Sequence, residues 1–141
     1  MLTAKQVEAL IRGGLPAAAE QGVVVESVDE NRARVRYRFD PSMVRPGGTV
    51  SGPTLMSLAD ASMYAAILAN LDGQEMAVTQ NLNINFLSKP APADLIGDAE
   101  IIRLGRRSAV LEVRIYSDGV EAMVAHVTGT YAIPAGRQAS S

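Results

Sequence analysis

The sequence predicts an α+β fold in which an antiparallel sheet wraps one long apolar helix, and three observations lead there. Residues 32–39 alternate strictly, Arg32, Arg34, Arg36 and Arg38 interleaving with Ala33, Val35, Tyr37 and Phe39, the period of a strand with one buried face. Residues 52–71 are apolar on nearly every side of a helix, which marks a helix buried in its surroundings. Four strand-like stretches follow that helix, and a run of strands with one dominant helix makes an α+β architecture.

Taken in order, Val7, Leu10 and Ile11 fall at helical spacing over residues 3–12, and Gly13-Gly14 is expected to stop that helix. Pro16 to Gln21 adds a short turn. Val23 to Asp29 is expected as a strand, Glu30-Asn31 as a turn, and Arg32 opens the second strand. The Arg face of that strand carries no aromatic residue to stack on bases, so its charges are expected to pair with Glu and Asp on neighbouring strands. A loop of turn formers runs from Asp40 to Gly52. Pro53 at the start of the long helix and Asp72-Gly73 beyond its end set its limits near 53 and 71. Strands are expected over 76–87, 94–104, 108–117 and 121–133, with turns at Gly105 and Asp118-Gly119. The tail from Pro134 is small and polar and is expected to fray. No repeat or linker interrupts the chain, so 1–141 is expected to be one domain with its core over about 20–133.

A length of 141 residues suffices for a sizeable core. The hydrophobic fraction of 48%, charged fraction of 20% and net charge of -2 are those of a soluble globular protein, with no whole-chain attraction to nucleic acid or an anionic membrane. The long helix is near the length of a membrane span, but the segments after it read as strands, so no span is expected. There is no Cys and a single His, His126. That excludes thiolate catalysis, a His-based triad and a histidine metal cluster; no metal is expected, and His126 is expected in the core or an interface. The N-terminus carries Glu8 and lacks an uninterrupted apolar run, so it is not read as a secretory signal and the expected compartment is the cytoplasm. Eleven of the thirteen basic residues are Arg, the side chain suited to bidentate contact with phosphates and carboxylates.

Asp60 is the only residue of the long helix charged at neutral pH. Burying a carboxylate is costly unless something pairs with it, and such a group is a candidate general base or nucleophile. The structural alternative is a bond to a neighbouring hydroxyl such as Ser57 or Tyr64. Gly52 stands at the helix start, where free N–H groups and the positive end of the dipole favour an anion and glycine admits close approach. A plain helix cap uses the same residues. Gly52 and Asp60 are eight residues apart, about 12 Å along a helix rising ~1.5 Å per residue. They can hardly both touch one reacting carbon in a single chain, so a site shared by both requires a second subunit.

The pattern G-x-x-x-G-x-x-x-x-x-x-x-D from Gly48 through Gly52 to Asp60, the strand Val78–Phe86, the Gly105-Arg106 turn and the closing Gly129-Thr-Tyr-Ala-Ile occur in an order and spacing that resemble the PaaI-like branch of the hotdog-fold thioesterases, over about residues 20–133. The resemblance implies a hotdog fold, homodimers joined sheet edge to sheet edge, often homotetramers, and hydrolysis of an acyl-CoA thioester with no cofactor beyond the CoA of the substrate. It maps the acidic catalyst onto Asp60, the oxyanion-binding amide onto the partner subunit's Gly52, and a hydroxyl that positions water or the carboxylate onto Thr79. Arg106 and Arg107 map to a turn that contacts the nucleotide part of CoA. The family has His-Gly-Gly where this chain has Ser51-Gly52-Pro53, and Asn where it has Arg45. Ser51 keeps a hydrogen-bond donor, and Arg45 suits a thioester oxygen or a phosphate. A non-catalytic acyl-CoA binder and a hotdog hydratase or dehydratase are the competing expectations; the absence of a His near residue 52 counts against the latter.

Overall fold

The computed structural model describes residues 1–73 and 75–134; of the tail expected to fray, all but Pro134 lies outside the described residues. Helix α1 (Ala4–Gly14) starts at a capping box formed by Thr3 and Gln6. It runs through Gly13-Gly14, where it was expected to stop, because the strongest local constraint comes later: Leu15 precedes Pro16, and that position disfavours the helical conformation. Helix α2 (Pro16–Glu20) follows, then the hairpin of β1 (Val23–Asp29) and β2 (Arg32–Tyr37). Strand β2 ends two residues short of Phe39, because the Phe39 N–H donates to Asp94 Oδ1 at 2.6 Å rather than to a neighbouring strand. Beyond a loop with one 3₁₀ turn at Pro41–Met43 come α3 (Gly52–Asn70), β3 (Val78–Phe86), β4 (Leu95–Leu104), β5 (Ser108–Ser117) and β6 (Met123–Ala132). Asp72 and Gly73 end α3 in the left-handed region, at φ 51° and 80°.

Among the described residues, six strands form one antiparallel sheet in the order β1-β2-β4-β5-β6-β3. Helix α3 lies on one face, chiefly over β2 and β4. Two glycines set how closely it lies. A Cβ at Gly97 would overlap Ser62 Oγ, which is held in place by donating to Leu58 O at 2.7 Å. A Cβ at Gly129 would sit 2.6 Å from Met63 Sδ. On the other face the arginines of β2 pair as expected: Arg32 with Glu100, Arg34 with Glu26 and Asp98, and Arg36 with Glu26, Asp94 and Asp118. Among the described residues, no helix is long and apolar enough to cross a membrane.

The two sheet edges differ. Along β1, α1 supplies side chains to the open backbone: Glu8 Oε1 accepts the Val25 N–H at 2.8 Å, and Arg12 Nη2 donates to Val23 O. Among the described residues, strand β3 pairs only with β6, and Val78 and Phe86 on it are 59% and 56% exposed. An edge of that kind is a template for another strand.

Two stability effects follow from this packing. Gly97→Ala is expected to cost about 1–3 kcal/mol by overpacking, with Ser62→Ala recovering part of the loss in urea melts of the double variant. Burial raises the pKa of Glu26, but hydrogen bonds from Arg36 and Arg34 outweigh it and leave a net lowering. The Phe39 N–H and then Arg36 hold Asp94 down. Carboxylates depressed in the folded state contribute stability above their unfolded values, near pH 4, and lose it as pH falls through the folded ones. Arg36→Met is therefore expected to lower stability at pH 7 by about 1–3 kcal/mol, and the gap from wild type should narrow as melts are repeated below about pH 4.

Candidate active site

Helix α3 is not buried all round. Pro53 and Met56 are exposed, Met56 by 43%, and Ser57 and Asp60 are half-buried. These four recur at i, i+3, i+4 and i+7, one stripe of the helix. With Thr79 and Leu82 of β3 they line an open cleft of about 500 Å³. Thr79 and Leu82 are an odd number of residues apart, yet both reach the cleft because a bulge between Thr79 and Asn81 adds a residue to the strand.

At the cleft's edge the Asp60 carboxylate is held through one oxygen. Thr79 Oγ1 donates to Asp60 Oδ1 at 2.5 Å and Tyr131 Oη donates to the same atom at 2.7 Å. Tyr131 Oη also lies 3.1 Å from the Asp60 carbonyl oxygen. The register explains the meeting, since Thr79 pairs directly with Tyr131. The two hydroxyls expected as structural partners are engaged elsewhere: Ser57 Oγ is 2.8 Å from Tyr37 Oη, and Tyr64 Oη donates to Glu75 O at 2.9 Å. Asp60 Oδ2 has no partner among the described residues. Burial and then the charge of Asp60 push the Tyr131 phenol well above its ordinary value. Burial likewise raises Tyr37 and Tyr64, so all three phenols remain protonated across the neutral range.

The start of α3 forms a second group. Ser51 is the N-cap: its Oγ accepts the Thr54 N–H at 3.4 Å and lies 2.9 Å from Thr54 Oγ1. Its hydroxyl thus serves the helix end. As the first N–H of the helix, the Gly52 amide has no intrahelical acceptor and no partner among the described residues, and Pro53 beside it has no N–H. Gly52 and Arg45 line a cleft of about 350 Å³ with Phe86 and Lys89. Phe86 packs so near Gly52 that a Cβ there would be 3.3 Å from its ring.

Asp60 and Thr79 therefore come together, and Gly52, Ser51 and Arg45 gather apart from them in the same chain. Arg106 and Arg107 are exposed in the β4–β5 turn, at the sheet end where Ala109 pairs with Tyr131 and Tyr131 with Thr79. His126 faces the opposite side of the sheet, its Nε2 2.6 Å from Glu112 Oε1. Tyr131 escaped the sequence reading. The available signal was a tyrosine at a core-facing position of the last strand, in step with Val127 and Gly129, since a buried phenol needs a partner for its O–H.

Residues 47–129 match a family model described as the Thioesterase superfamily. A "putative esterase" of Saccharolobus solfataricus is 28% identical over 113 residues, 79% of this chain and 73% of the relative. The crystal structure of a "putative thioesterase" from Silicibacter sp. TM1040 is 37% identical with a TM-score of 0.86, covering 95% of this chain and 93% of that one. A Ralstonia eutropha structure, a "putative thioesterase" described as phenylacetic acid degradation-related, is 26% identical with a TM-score of 0.79, covering 90% and 98%. With its sheet, its central helix and a family match over more than half its length, the chain belongs to the thioesterase superfamily and has the hotdog fold.

Proposed function

We propose that this thioesterase hydrolyses acyl-CoA at a site shared between two subunits, with Asp60 of one chain as general base or nucleophile and the partner subunit's Gly52 amide as oxyanion donor. The observation that carries the proposal is the Asp60 carboxylate, bonded through Oδ1 alone and set on an open, largely apolar cleft. In the general-base form, a water oxygen bonds to the thioester carbon while its proton passes to Oδ2. The C–S bond then breaks, and the same proton returns to the CoA sulfur. In the nucleophilic form Oδ2 itself bonds to the carbonyl carbon, the C–S bond breaks and CoA leaves as thiolate, which takes a proton from solvent. Water then cleaves the resulting anhydride to free acid and the Asp60 carboxylate, returning that proton. Either way negative charge develops on the carbonyl oxygen, and an unpaired amide at the positive end of a helix stabilises such a charge.

The open edge of β3 supports the dimer. Antiparallel pairing of β3 with its copy about Leu82 sets position 86 against position 78. In that register the Gly52–Phe86 cleft of one chain would lie alongside the Thr79–Asp60 cleft of the other. Arg106 and Arg107 are then the candidates for the CoA phosphates, whose geometry a guanidinium matches, and Arg45 borders the thioester end. CoA enters as part of the substrate, so the chemistry needs no added cofactor. The cytoplasm is where such substrates are met.

CoA release from short, medium, long and arylacetyl-CoA tests the assignment. Wild type should turn over at least one class, and Asp60→Asn should lower kcat on that substrate on the order of 10²-fold or more; equal turnover by both proteins would rule Asp60 out. For the shared site, Val78→Lys at the β3 edge is expected to shift sedimentation toward monomer and to lower activity in step with the dimer fraction. A fully active monomer overturns it.

A further inference from the structure

We infer that Tyr131 is a positioning residue that selects Asp60 Oδ2 as the reacting oxygen by holding Oδ1. This rests on the assignment of Asp60 as the base or nucleophile. A free carboxylate presents two equivalent oxygens and turns about its terminal torsion, which is soft. Here Oδ1 accepts two hydroxyl donors, from Thr79 on β3 and Tyr131 on β6, while Oδ2 is left without a partner among the described residues.

The two donors are not alike. Thr79 lines the cleft itself, whereas Tyr131 is 2% exposed and fixed on several sides. Its ring stacks on Tyr64 with centroids 6.2 Å apart and planes 13° from parallel. Tyr64 is itself anchored through its hydroxyl to Glu75 O. The Tyr131 hydroxyl spans both the side-chain and carbonyl oxygens of Asp60, tying the carboxylate to the backbone of the helix that carries it. Gly129, two residues earlier on the same strand, gives way to Met63 and so lets α3 come down onto β6. A donor built into the core in this way keeps its geometry when a substrate enters the cleft, whereas Thr79 is open to displacement. Pre-set geometry of this kind is what near-attack alignment requires.

Tyr131→Phe removes the hydroxyl and keeps the stacked ring. On the acyl-CoA that wild type turns over, and with rates normalised to folded protein by circular dichroism, kcat should fall about tenfold or more while KM stays within about twofold. Thr79→Val should give a smaller loss. On the Asp60→Asn background, Tyr131→Phe should change the residual rate by less than about twofold, because the group it acts through is gone. A purely structural tyrosine would instead lower thermal stability with kcat per folded molecule unchanged, and that result overturns the inference. So would an equal loss with and without Asp60. If Asp60→Asn itself retains wild-type turnover, the assignment of Asp60 falls, separately from any result at Tyr131.

Discussion

The close seating of α3 on the sheet is the contact on which the rest of the molecule depends. Gly97 and Gly129 remove the two Cβ atoms that would otherwise lift the helix at Ser62 and Met63. Buried Leu58, Met63, Ile67 and Leu68 then close over the sheet with no exposed surface, each such side chain contributing roughly 1.5–3 kcal/mol of apolar burial. The same seating decides where Asp60 sits. A helix raised by a methyl group would carry the carboxylate away from Tyr131, and the hydroxyl and the carboxylate would each lose a partner inside the fold. Packing and chemistry are therefore one geometry, read from the glycines on one side and from the acid on the other.

A second constraint is the inequality of the two sheet edges. Edge strands expose unpaired N–H and C=O groups, and folds usually blunt them. Helix α1 does so at β1 by turning Glu8 and Arg12 onto the backbone of Val25 and Val23. Strand β3 instead keeps an open edge and exposed apolar side chains at both ends, Val78 and Phe86. It is also the strand that contributes Thr79 to one cleft and Phe86 to the other. Association through β3 would close the edge and unite the two clefts in a single step.

Much of this was legible in the sequence, for identifiable reasons. The alternation of Arg with apolar residues gave β2 and the pairing of its charged face, because strand period and charge complement are local properties. Asp60 stood out as the lone charge of an apolar helix, and Thr79 was carried over with it through the family resemblance. What stayed hidden depends on contacts distant in the chain. That Tyr131 meets Asp60 follows from a strand order placing β6 beside β3 and from the bulge after Thr79, neither of which leaves a local mark. The exposure of Met56 was hidden for the same reason: an apolar side chain reads as core until the sheet is seen to leave that stripe uncovered. Gly13-Gly14 misled because a propensity of about 1 kcal/mol per glycine yields to the neighbouring Pro16 and to the burial of Val7 and Ile11.

The departures at positions 45 and 51 bear on the chemistry less evenly than the sequence suggests. Replacing a histidine by Ser51 removes a side chain that would hold the thioester, but the hydroxyl that replaces it caps Thr54 and so stabilises the helix start. That start carries the Gly52 amide, and the oxyanion role proposed for it, being supplied by backbone, does not depend on the side chain before it. Pro53 acts in the same direction, since it pre-sets the first helical turn while giving up an N–H that the helix did not need. Position 45 is different. An asparagine both donates and accepts, so it orients a water, whereas the Arg45 guanidinium only donates and brings a positive charge to the rim of the Gly52 cleft. On the proposed mechanism, water orientation then falls to Asp60 Oδ2 alone. A carboxylate with one oxygen tied down is better suited to that task than one free to turn.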